Sequence, residues 1–106
     1  MSEIIDQHGL ERIKGIHKLS EKYNKLTKRK HSERLLELMT EHVEEIKELQ
    51  GWNDKHFLVE TGDLVMLCFE LLLEAGASIN DIMEKCSERY EKKLSGLIEE
   101  IEETDG

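Results

Sequence analysis

The sequence predicts an all-α chain, a four-helix bundle-like single domain over residues 1–106, and three observations predict it. The chain has no proline and only seven glycines, so nothing punctuates a β-meander or a βαβ series. Its apolar residues recur at three- and four-residue steps, the period of an amphipathic helix. Breaks near residues 25–34, 51–54 and 76–78 then divide it into four such stretches.

Helix 1 is expected over about residues 3–25, with Ile5, Leu10, Ile13, Ile16, Leu19, Tyr23 and Leu26 along one apolar stripe. The segment Lys25–Arg34 carries five Lys/Arg against one Glu, reversing the sign of the chain, and marks a turn with Ser32 as N-cap of the next helix. Its basic run reads either as a solvated turn or as a source of phosphate contacts to a neighbouring subunit. Helix 2, about 33–50, turns Leu35, Leu36, Leu38, Met39, Val43, Ile46 and Leu49 inward and stops at Gly51, a suitable C′ residue.

Helix 3, about 55–75, is apolar nearly all round, which places it centrally or in a subunit interface. Between Phe57 and Leu73 its charges are Glu60, Asp63 and Glu70, and charges in such surroundings need a reason. Gly76 ends it. Ser78-Ile79-Asn80-Asp81 resembles a capping box with Asp81 in the acidic position, opening helix 4 over about 79–103.

The formal charge of −9 argues against nucleic acid or an anionic membrane surface as the main partner. A chain of this size with 5% aromatic residues buries a modest share of its surface, so self-assembly as a homodimer or homotetramer is expected. Cys68 and Cys86 lie in apolar stretches without zinc-site or disulfide spacing and read as reduced, buried thiols. The residues after Met1 lack a signal-peptide pattern and no run reaches membrane-spanning length, so the expected compartment is the cytoplasm.

The chemistry is concentrated in two acidic words, Glu45-Ile46-Lys47-Glu48 and Glu60-Thr61-Gly62-Asp63. On a helix, residues i and i+3 share a face, so each word presents a carboxylate pair on one side. If helices 2 and 3 are antiparallel about the turn at 51–54, a rise of about 1.5 Å per residue puts the pairs at similar heights, roughly 4–9 Å and 8–14 Å below it. Four carboxylates sharing partly buried space repel one another and require a cation or protons. Oxygen donors alone favour magnesium, with manganese possible, over zinc.

Val43-Glu44-Glu45-Ile46-Lys47-Glu48-Leu49 followed by Glu60-Thr61-Gly62-Asp63-Leu64-Val65 resembles the MazG-like all-α nucleoside triphosphate pyrophosphohydrolases, over roughly residues 33–93. Those enzymes carry E-E-x-x-E-L on one helix and an E-L-G-D-L-like word on the next. The resemblance implies magnesium-dependent cleavage of the α–β phosphate bond of a (d)NTP, giving a nucleoside monophosphate and pyrophosphate. It implies Glu45, Glu48, Glu60 and Asp63 as metal ligands; a carboxylate that metal does not fully engage can take the attacking water's proton, a role read for Glu44 or Glu45. It also implies phosphate contacts from Arg89, Lys92 and Lys93, although arginine stands where the family has lysine and lysines stand where it has arginine.

Trp52, above the expected site, is a candidate either to stack on a base or to cap the helix 2 and 3 interface. No histidine follows a glutamate by three residues, so the Glu-x-x-His pairs of di-iron bundles are absent, and His42 and His56 read as surface or supporting groups. Two alternatives stand beside the nucleotide pyrophosphohydrolase. One is a non-catalytic helical dimerisation module whose acidic words are solvated. The other, within the enzyme class, is a phosphoribosyl-ATP pyrophosphohydrolase-like activity.

Overall fold

The computed structural model describes residues 3–49 and 55–105, which form four helices: α1 (Gln7–Leu26), α2 (His31–Glu48), α3 (Lys55–Glu74) and α4 (Ile79–Asp105). No strand occurs among the described residues. The expected turn at Gly51–Asp54, with Gly51 as C′ residue and Trp52 above the site, lies outside them.

The helix boundaries follow from local hydrogen bonds. Helix α1 begins at Gln7 rather than near residue 3, because the Asp6 carboxylate caps it by accepting from the Gly9 N–H at 2.8 Å. The preceding backbone is held elsewhere. Ile5 N–H donates to Asn80 Oδ1 at 2.9 Å, and Asn80 Nδ2 donates to the Ile5 carbonyl at 3.0 Å, clasping the amino-terminal segment to the start of α4.

Both α1 and α3 end in the same two-bond lock, in which the residue past the cap turns left-handed. After α1, Lys28 has φ 59°, its N–H reaches Lys25 O at 3.2 Å, and Arg29 N–H reaches Asn24 O at 2.8 Å. After α3, Gly76 has φ 77°, its N–H reaches Leu73 O at 3.0 Å, and Ala77 N–H reaches Leu72 O at 3.0 Å. The lock at Lys28 lets α2 start at His31, with Lys30 in the capping position and no side-chain cap. Ser32, expected as the N-cap, therefore lies inside the first turn. Ser78 does act as expected, its Oγ accepting from Asp81 N–H at 3.4 Å.

Helices α2 and α3 form the main packed pair, α1 lies against both, and α4 touches α3 sparsely. Among the described residues the buried apolar side chains are Ile13, Leu35, Leu67 and Ile79, beside buried His17, Asn24 and Glu70. The stripe expected on α1 faces inward only in its first half: Ile13 is buried and Ile5 and Leu10 are half-buried, whereas Ile16, Leu19, Tyr23 and Leu26 are exposed and His17 and Asn24 are buried instead. The reason is polar. His17 bonds to Glu70 of α3 and Asn24 bonds to His31 of α2, and these partners rotate the apolar row outward.

Leu36 and Val43 of α2, expected inside, are also exposed, as are Tyr90, Leu94, Leu97, Ile98 and Ile101 of α4. The radius of gyration is 17.5 Å, against about 13 Å for a compact chain of this length. A single copy thus displays apolar rows that a monomeric globule would cover. No helix among the described residues is long and apolar enough to cross a membrane.

Candidate functional site

The α2–α3 pair brings the two acidic words face to face. Glu45 of α2 and Glu60 of α3 stand close enough for their carboxyl groups to perturb each other. Hydrogen-bonding interaction with Glu60, together with repulsion from the Glu60 charge and desolvation, raises the Glu45 pKa above its ordinary 4.5. Glu60 moves the other way: hydrogen bonds from His42 first and Glu45 second hold its carboxyl below that value.

Glu60 is largely buried, its side chain 14% exposed. With its proton on Nδ1, His42 donates to Glu60 Oε2. His42, Glu60 and Asp63 each place one donor atom within 4.8 Å of the others, a spacing that a single metal ion can bridge. Glu45 touches this group through Glu60. Glu48, the last residue of α2, is exposed and stands outside it. Glu44 pairs with Lys47 at 3.8 Å on the exposed side of α2.

Arg89, Lys92 and Lys93 are exposed on α4, with the Arg89 guanidinium 5.4 Å from the Tyr90 ring centre. Among the described residues no ion pair ties them to the acidic group. Nearer to hand, a groove of about 290 Å³ beside Glu60 is lined by Lys55, His56 and Val59. In the basic turn, Lys30 pairs with Glu33 at 3.7 Å and Arg34 with Glu37 at 3.1 Å, so part of its charge is neutralised locally.

His42 was read from the sequence only as a surface or supporting residue. Its position carried a usable signal, since it precedes Glu45 by three residues and so lies on the same face of α2.

A curated relative, the phosphoribosyl-ATP pyrophosphatase of Bacillus cereus strain Q1, is 37% identical over 75 residues, covering 70% of each chain. The chain belongs to the MazG-like all-α pyrophosphohydrolase superfamily. No family model and no solved structure matches it.

The two pKa shifts have opposite consequences for folding. A carboxyl raised by folding adds stability that is complete below its unfolded pKa and is lost as pH rises through its folded pKa. A lowered one adds stability that is present above the unfolded pKa and is lost as pH falls through the folded value. The pair is therefore most favourable just above the ordinary 4.5. In metal-free protein, melting temperature between pH 5 and 8 is expected to fall more for the wild type than for Glu45→Gln, whose amide keeps a permanent donor toward Glu60. Circular dichroism melts across that range test this; parallel profiles would remove the coupling between Glu45 and Glu60.

Proposed function

We propose that the chain is a magnesium-dependent nucleotide pyrophosphohydrolase that cleaves the α–β phosphate bond of a nucleoside triphosphate, releasing a monophosphate and pyrophosphate. The observation that carries this reading is the gathering of Glu60, Asp63 and His42 within 4.8 Å of one another, with Glu45 beside Glu60. Carboxyl groups crowded together in this way repel one another, and a divalent cation between them would relieve that repulsion.

The donors fit magnesium or manganese: Glu45, Glu60 and Asp63 supply oxygens, and Glu48 at the end of α2 is a further candidate. When bound there, the cation neutralises phosphate charge and acidifies a water molecule. The protein's own groups do the rest. His42 holds Glu60 in one orientation, as a supporting hydrogen bond does for a ligating carboxylate. Glu45 is the base that accepts a proton from the attacking water. Glu44, turned to Lys47, is less suited to that task. Lys55, lining the groove beside Glu60, is placed to receive a phosphate.

The relative's name favours a specific form of the same reaction. Phosphoribosyl-ATP is a nucleoside triphosphate substituted on its base, so the same cut applies to it. We also propose assembly as a homodimer or homotetramer through the exposed rows of α1 and α4, which would bring Arg89, Lys92 and Lys93 of one copy toward the phosphates bound by another.

The test is phosphorus NMR of purified protein with magnesium against ribo- and deoxyribonucleoside triphosphates and phosphoribosyl-ATP. Pyrophosphate release, abolished by chelation, is expected from at least one. No turnover on any of them, together with a melting temperature that magnesium leaves unchanged, would favour the non-catalytic helical module.

A further inference from the structure

A second group of ligand-type side chains lies at the opposite end of α3 from the acidic words. Glu74 follows Glu60 by fourteen residues, about 21 Å along a helix. Around it the fold gathers His17 from α1 and His31 from the first turn of α2, with one donor atom of each of the three within 4.8 Å of the others. His17 Nε2 lies 3.3 Å from Glu74 Oε2, and His31 Nε2 lies 3.7 Å from the same oxygen. Both imidazoles are nearly enclosed, with side chains 9% and 12% exposed, and their rings are 5.0 Å apart.

The remaining ring nitrogens are already engaged. His17 Nδ1 meets Glu70 Oε1 at 3.2 Å, and Glu70 is itself buried. His31 Nδ1 meets the Asn24 amide at 2.8 Å. With Nδ1–H of His17 donated to Glu70, Nε2 turns a lone pair toward two carboxylates, Glu74 and, at 3.6 Å, Glu21. Such an arrangement is repulsive unless a positive charge lies between them. Protonation of His17 would satisfy that ring, yet His31 Nε2 is buried with no hydrogen-bond partner. At 3.7 Å from Glu74 Oε2, His31 Nε2 is too far for a hydrogen bond, whereas one metal ion between the three side chains would engage them all.

We propose that His17, His31 and Glu74 form a binding site for a divalent transition-metal ion of the zinc type, which clamps α1, α2 and α3 together away from the catalytic end. Donors about 2.0–2.2 Å from a tetrahedral ion stand about 3.3–3.6 Å apart, close to the observed 3.3 and 3.7 Å. Two imidazoles and one carboxylate suit zinc far better than magnesium. Glu70 behind His17 and Asn24 behind His31 are the outer hydrogen bonds that fix ligating imidazoles; with the Asn24 amide turned so that Oδ1 accepts from Nδ1–H, His31 Nε2 presents its lone pair to the ion. Glu21 is placed to complete the coordination.

The experiment uses tag-free, chelator-treated protein in excess magnesium, with zinc added during thermal unfolding and cobalt as a spectroscopic probe. One zinc per chain and a melting temperature raised by roughly 10 °C at a hundredfold excess over Kd are expected. His31→Asn and Glu74→Gln should each lose that rise, and the cobalt ligand-field bands with it. Asp63→Asn, altered only at the acidic words, should keep both. A wild type unmoved by zinc, a rise that survives His31→Asn and Glu74→Gln, or one lost in Asp63→Asn would overturn the site.

Discussion

Asp63→Asn is expected to lower pyrophosphate release by a factor on the order of 10²–10³, comparable to removing one well-placed electrostatic group from an active site. The substitution keeps the size of the side chain and one oxygen but removes the charge that a divalent ion and its phosphates require. Asp63 is exposed at the edge of the group formed with His42 and Glu60, so its own packing contributes little to folding. Metal-free Asp63→Asn should therefore melt at or slightly above the wild-type temperature, since one source of carboxylate repulsion is gone. Magnesium should no longer raise that temperature. Turnover by phosphorus NMR and melting with and without magnesium check both halves. A variant that keeps wild-type turnover would move the metal away from Asp63, and Glu44→Gln, altering a carboxylate turned to Lys47, is the control expected to stay near wild type.

The acidic pairing was legible because it depends on two periodicities and one antiparallel turn, all of which a sequence displays. Glu45 and Glu60 do meet, and their apolar surroundings on α3 were the clue. What escaped were partners whose meeting depends on tertiary placement. His17, His31 and Glu74 lie on three helices and are separated by 14 and 43 positions in the chain, so no local spacing announces them. That polar cluster in turn explains the misread face of α1. Counting apolar residues at helical steps selects Ile16, Leu19, Tyr23 and Leu26, whereas the energetic demand of burying His17 against Glu70 selects a neighbouring face. The capping error at Ser32 has a similar origin. A lysine in left-handed conformation closes α1 where glycine is the usual signal, so the start of α2 moved without any mark in the sequence.

Leu35→Ala is expected to destabilise the chain by about 2–5 kcal/mol, the range for emptying a buried leucine site. Leu35 is fully enclosed on α2, and the other buried apolar side chains among the described residues are Ile13, Leu67 and Ile79. With so small an interior, neighbouring side chains have little freedom to refill the space, and a chain of this length should melt at least roughly 10 °C lower. Leu36→Ala, one position along, gives the contrast. Leu36 is 51% exposed in the single chain, so in a monomer its truncation should change stability by no more than about 0.5 kcal/mol. Should the outward face of α2 be covered by a second copy, Leu36→Ala would lower the melting temperature in a concentration-dependent way, because dissociation and unfolding are then linked. Melting both variants across a range of protein concentrations separates the two burdens: Leu35 carries the fold of one chain, and any dependence on concentration at Leu36 belongs to assembly.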